Sequence, residues 1–197
     1  MSGPHENLEH AEHAEHAAGH NKGIALLIAV IALFLAFSET LGKSAQTSAI
    51  SDNVEASNLW AFFQAKTIRM TAVGTAAEAL EIDVAGATDP ATRERMQKRI
   101  DAWKVTAARY NDEPSTGEGR KQLVEKAKAA EHKRDTALAR YHHYEVASAA
   151  FQIGIVLASA TIITGMMVLA YLSGALALVG LIFTAIGFFA PHAVHLM

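Results

Sequence analysis

Ten histidines give this 197-residue chain its densest potential for chemistry, and five of them fall within the first twenty residues. The run Glu9-His10-Ala11-Glu12-His13-Ala14-Glu15-His16, flanked by His5 and His20, sets an imidazole beside a carboxylate every three residues. On a helix, three-residue steps keep such groups on one slowly drifting face, and His16 to His20 adds a four-residue pair. Neutral imidazole with carboxylate suits zinc, nickel or copper, so His10, His13, His16 and His20 are the candidate metal ligands. Low-complexity tracts of this kind also bind metal loosely without that being their task. The competing reading is a solvated tail that gains charge as pH falls through about 6.5. No other cofactor is expected.

A second candidate group is dispersed along the chain. Glu39 lies just inside an apolar run, and ionisable residues at membrane depth mark functional sites by default. The expected order of crossings puts Glu39, Gln152 and His192 near one interface, with Lys43, His142, His143 and Glu145 just outside. Such a cluster could bind an ion or relay protons. The simpler alternative pairs Glu39 with Lys43 at the i+4 position, which suits helix geometry.

Other chemistries find no support. With no cysteine, thiolate catalysis and disulfide scaffolds are excluded. A formal net charge of -3 does not favour nucleic acid as a partner. The sequence contains no glycine-rich phosphate loop, nucleophile elbow or His-Glu-x-x-His motif. The expectation is therefore a protein without catalytic activity.

The elements that must position these residues follow from charge segregation. Mean hydropathy is only +0.15, yet no Asp, Glu, Lys or Arg follows Glu145, and 16 of the 17 Lys and Arg lie between Lys43 and Arg140. The run Ile24 to Phe37, extended over 22–42, reaches the roughly 20 residues that a bilayer core requires. Ala36-Phe37-Ser38 weakly imitates a cleavage site, but the preceding segment is long and acidic, which favours a retained span over a secretory signal. The uncharged C-terminal stretch is too long for one span, at roughly 78 Å. A break at Leu172-Ser173-Gly174 gives two, at 147–172 and 173–190, joined as an antiparallel hairpin and closed by Pro191. Small residues recur there: Gly154, Ala158, Gly165, Gly174, Gly180 and Gly187. They permit close helix approach in lipid.

The predicted fold is thus an all-α membrane protein: three transmembrane helices, with a long antiparallel helical stalk over 43–146 inserted between the first and second. A polar tail (1–21) and a short C-terminal tail (191–197) flank them. The stalk carries 15 acidic and 16 basic residues, so it presents no large field. Its breakers fall at Gly86-Ala87-Thr88-Asp89-Pro90, with Asp89 or Thr88 as N-cap, and at Pro114 to Gly119. A short helix from about Pro90 to Asn111 is expected to bridge the two long helices at the tip. Steps of three and four residues mark packing seams along Met96-Ile100-Trp103-Ala107-Tyr110, along Leu123 to Tyr144, and along Trp60-Phe63-Thr67-Met70-Gly74-Ala77. Lys43 after the first span, and Lys133, Arg134 and Arg140 before the second, favour a cytoplasmic stalk.

Trp60, Phe62 and Phe63 cannot share one narrow seam, since a two-residue step turns about 200°. With Trp60 and Phe63 inside, Phe62 is left on another face, where a second copy of the chain is expected to cover it. Trp60, Phe62, Phe63 and Trp103 are therefore the packing or oligomer candidates.

The stretch Asn58 to Arg69, with Trp60-Ala61-Phe62-Phe63-Gln64-Ala65-Lys66 at its heart, follows Ser38-Glu39-Thr40-Leu41-Gly42-Lys43. Together with the acidic, His-rich start, it resembles the bacterial membrane family catalogued as domain of unknown function number 4337. The resemblance covers nearly the whole chain and implies a bacterial inner-membrane location. It brings no activity, substrate or catalytic residue. The leading expectation is a self-associating scaffold whose partners are the bilayer and further copies of the chain. Alternatives are a homo-oligomeric ion or proton conduit with the Glu39 cluster at its mouth, or a metal-responsive protein acting through the tail.

Overall fold

The structure is a computed structural model that describes the backbone of residues 4–194 and the side chains of residues 22–194. The side chains of the candidate metal ligands His10, His13, His16 and His20 lie outside the described ones. The described chain is wholly helical, with no strand: α1 (Pro4–Gly86), α2 (Pro90–Asn111), α3 (Arg120–Thr164) and α4 (Met167–Phe189). Contacts divide it into two units, the first drawn from 1–48 and 136–197, the second from 49–135. α1 and α3 supply residues to both.

The helix boundaries in the second unit fall where the punctuation places them. α1 ends at Gly86, and Asp89 caps α2 by accepting from the Thr92 amide at 2.9 Å, with Pro90 at the first helical position. α2 ends at Asn111, and the turn before α3 takes Gly117 into the left-handed region at φ 68°. Gly119 is needed for close approach, because a Cβ there would collide with Gln122 Oε1 and the Glu113 amide.

The path of α2 differs from the expectation. Rather than bridging a tip, it runs back along α1. Lys104 pairs with Glu81 at 2.6 Å, and Trp103 and Ala107 line a cleft with Gly74 and Ala77. α3 then takes over in the same direction, its first residue Arg120 reaching Thr67 and Met70 of α1. The reason lies in the three-residue turn at 87–89, which is long enough only to reverse the chain.

The buried seams sharpen the sequence pattern. On α2, Ile100 is fully buried and Met96, Trp103, Ala107 and Tyr110 are half-buried. On α3, Leu123, Ala127, Ala130, Ala137 and Tyr144 are buried. On α1 the expected seam is covered throughout, with Trp60, Phe63, Thr67, Met70 and Gly74 half-buried and Ala77 buried, and Leu59, Lys66 and Val73 broaden it.

In the first unit, α3 and α4 pack antiparallel, and α1 packs antiparallel to α3. Ile31, Ala147 and Phe151 form the core, with Phe34 stacked on Phe151 at 6.2 Å. The hairpin break lies at Gly165-Met166, seven residues before the start of the expected Leu172-Ser173-Gly174. Gly165 takes φ 70° and its amide caps the Thr161 carbonyl at 2.8 Å, a left-handed helix end that glycine adopts without strain. Ser173 and Gly174 instead sit inside α4, so the two apolar helices are 120–164 and 167–189. Ser173 is small because it is a contact residue: its hydroxyl donates to the Gly154 carbonyl at 2.7 Å.

Three helices are long and apolar enough to cross a membrane: α1 from Lys22, α3 and α4. In their most apolar stretches only 17%, 33% and 17% of residues are buried within the chain. Leu26, Phe37, Val156, Ile163 and Phe189 all face outward. Apolar surface of that extent is foreign to a water-soluble monomer and consistent with a membrane protein.

Candidate functional site

Two polar constellations stand out, one in each unit. In the first unit, α1 and α3 open a cleft of about 420 Å³ lined by Glu39, Lys43, Gln46, Tyr141, Glu145 and Gln152. The small side chains of Gly42, Ser148 and Ala149 leave the space. Gln152 Nε2 donates to Glu39 Oε1 at 3.4 Å, so two of the three predicted cluster residues meet. Among the described residues Glu39 and Lys43 form no ion pair, and the i+4 pairing expected from sequence is replaced by the link to Gln152. His142 Nδ1 lies 3.7 Å from Glu145 Oε2 at the mouth.

His192 does not join them. It follows the end of α4 and meets Thr136 Oγ1 of α3 through Nε2 at 3.1 Å. One residue earlier, the Pro191 carbonyl lies 3.0 Å from His143 Nε2. A carbonyl only accepts, so that nitrogen carries the hydrogen. His143 is fully buried, stacked at a tilt on Phe183, and its Nδ1 has no hydrogen-bond partner. The sequence reading set it just outside the polar cluster, whereas the structure buries it on α3 beside Tyr144. The arrangement pins the end of α4 to α3.

At the wall of the cleft the helices are tied together. Ser38 Oγ donates to the Tyr144 carbonyl at 3.0 Å, within a wholly buried contact. A Cβ on Gly180 would fall 2.6 Å from the Phe151 ring, and one on Gly187 3.0 Å from His143 Cβ. Glycine here is a notch into which a larger side chain fits.

The second constellation surrounds the aromatic motif. Trp60 and Phe63 pack edge to face at 5.6 Å, and Trp60 Nε1 donates to Glu131 Oε1 at 2.9 Å. The Arg120 guanidinium lies 5.0 Å from the Phe63 ring, and its nitrogens donate to Thr67 Oγ1, Asn111 Oδ1 and Met70 Sδ. Lys66 is buried at 6% exposure. Its ammonium lies 3.5 Å from Glu113, 3.9 Å from Glu118, and 5.4 Å from both the Phe62 and Tyr110 rings.

Phe62 is thus partly covered from within the chain, not bare as its spacing implied. Trp103 sits farther along α2 under Arg99, at 4.8 Å. Lys66 is the residue that sequence reasoning missed. Its signal was the seven-residue step Leu59-Lys66-Val73, which places it in the seam.

The motif therefore faces the 112–119 turn, where α2 hands over to α3. Its residues bracket that junction with charge and aromatic faces. Carboxylates near the turn are tuned accordingly. Hydrogen bonds from Gln122 and Lys121 hold the Asp112 carboxyl below its ordinary range. At the other turn, the Thr92 hydroxyl and amide do the same for Asp89. Glu81 holds the Lys104 ammonium above its ordinary range.

Among the described residues, no three His, Asp or Glu side chains are placed to hold a metal ion. No curated protein and no solved structure matches the chain significantly. A family model described as Domain of unknown function (DUF4337) matches residues 20–190. The chain, which carries that family's pattern over most of its length, belongs to the DUF4337 family.

Proposed function

We propose that the protein is a membrane-anchored scaffold without catalytic activity. It crosses the bacterial inner membrane three times, self-associates, and presents the 43–146 region to the cytoplasm. The observation that carries this reading is how the polar groups of the apolar unit are used. The buried hydroxyls of Ser38, Ser173 and Thr161 each donate to a backbone carbonyl and serve packing. They form no file of side chains through the unit. Glu39 is exposed at the rim of an open cleft, a position that argues against a buried proton relay. Lys43, Lys133, Arg134 and Arg140 support the cytoplasmic assignment.

The test is extraction and sidedness. The protein should stay with membranes in alkaline carbonate. A Ser115→Cys variant in a chain that otherwise lacks cysteine should resist an impermeant maleimide until the inner face is opened. Release by carbonate would sink the anchored reading, and labelling in intact spheroplasts would invert the orientation. Proton or cation flux in reconstituted vesicles that is lost in Glu39→Gln would replace the scaffold with a conduit.

A further inference from the structure

The buried seam of α1 in the second unit has a counterpart on the opposite side of the helix. Val54, Ala61, Ile68, Thr75 and Ile82 recur every seventh residue, and all are exposed. Val54, Ile68 and Ile82 are 53%, 70% and 76% exposed. Ala65, Ala72 and Ala79 form one edge of this column, and Ile50 extends it. Single exposed apolar residues are unremarkable, but a sustained heptad column is not. The period matters because an undistorted helix drifts about 20° per heptad, so a seven-residue column stays in register only with a supercoiled partner. The inner seam keeps the same period through Phe63, Met70 and Ala77, so a partner on the outer face must share the supercoil. A second copy of α1 does.

The charges point the same way. Asp52, Glu55, Lys66, Arg69, Glu81 and Asp83 fall outside the column and its alanine edge, and Glu78 flanks the column at the heptad position of Ile50 without entering it. In a parallel, in-register homodimer each residue meets its own copy, so any charge within the column would repel itself. A foreign partner would impose no such rule. From Ile50 to Ile82 the face is about 50 Å long and, at about 10 Å wide, covers about 500 Å² per chain. Two copies would bury about 1,000 Å², the lower bound for a specific interface.

We infer that the outer face of α1, centred on Ile68, is the self-association surface, pairing two copies in parallel and in register. This rests on the anchored, self-associating reading above, in which both copies leave one bilayer with α1 in the same polarity.

The experiment uses full-length protein in native membranes and a short bismaleimide, against a background with no cysteine. Val54→Cys, Ile68→Cys and Ile82→Cys should each give a dimer alone, and Asp101→Cys on α2 should give none. Ile68→Lys should halve the mass by light scattering in mild detergent while the helical circular dichroism is kept. An oligomeric mass without cross-linking at Ile68, or one that survives Ile68→Lys, overturns this face and leaves self-association standing. A monomeric unsubstituted protein overturns both. A dimer only when Val54→Cys and Ile82→Cys chains are mixed makes the pairing antiparallel and overturns the register. An adduct of foreign mass assigns the face to another protein.

Discussion

In the first unit, glycine notches receive Phe151, His143 and Tyr144, and buried hydroxyls donate to carbonyls across the helices. In the second, the same two long helices hold together through alanine seams, a buried lysine between carboxylates, and cations on aromatic faces. The first unit shows large apolar side chains to its surroundings; the second shows mostly charge. The contrast is the one that the proposed membrane anchoring predicts. In lipid there is no hydrophobic drive between helices, so contact depends on close approach and hydrogen bonds. In water, burial of even small apolar groups helps, and charged side chains can remain solvated at the rim. One helix pair therefore carries two different kinds of cohesion along its length.

The contrast can be broken by substitution. The largest effect is expected from Phe151→Ala, which empties the notch at Gly180 and costs on the order of 3–4 kcal/mol. Thermal unfolding in detergent should show it as the steepest loss. A change within a few tenths of a kcal/mol would mean that the notch does not hold the first unit together.

Lys66→Ala should come next, at about 2–3 kcal/mol, the low end for a broken buried pair because Glu118 is half-exposed. Lys66→Met should recover most of that loss, since it keeps the volume and the contacts with Phe62 and Tyr110. If methionine proves as damaging as alanine, the ion pair itself dominates the bracket. Ser173→Ala should cost only about 0.6 kcal/mol, the usual size of a hydrogen bond between membrane helices. A loss of several kcal/mol would refute the lipid account of the first unit.

The smallest effect is in pH. The folded-state pKa values of Asp89 and Asp112 are depressed, so their contributions are complete above the unfolded carboxylate range and are lost as pH falls through the lower folded values. Acid titration followed by circular dichroism should therefore lose a stabilising component below about pH 4. Asp89→Asn should flatten that limb without altering the melt at neutral pH. The first unit, whose apolar stretches carry few titratable groups, should not share the dependence.

Much of this organisation was legible in the residues. Asp89-Pro90 and Gly117-Glu118-Gly119 announce their turns because backbone geometry there depends on local chemistry. The α3 seam from Leu123 to Tyr144 was readable because buried positions on a supercoiled helix must repeat. Which neighbour a seam faces is a different matter. The stripe from Met96 to Tyr110 fits either a bridge or an antiparallel partner, and only the short turn at 87–89 decides. Ser173-Gly174 reads as a break because serine and glycine mark turns in water, whereas inside an apolar helix Ser173 is a contact residue that meets Gly154. Lys66 was hidden by the habit of assigning lysine to the surface. Of the polar cluster, Glu39 and Gln152 were brought together, but His192 depended on how the chain turns after Phe189, which no periodicity records.

The handover from α2 to α3 has a consequence for the order of assembly. Glu81 and Lys104 are close in sequence, whereas Phe34 and Phe151 are separated by most of the chain. Loop closure grows costlier with separation, so the α1–α2 hairpin is the contact that can form soonest. During synthesis it would be complete before α3 emerges. Once formed, it stiffens the upper part of α1 into a template with Trp60, Phe63 and Lys66 already displayed. Arg120 then has a prepared seat, and α3 can zip towards the apolar unit from that point.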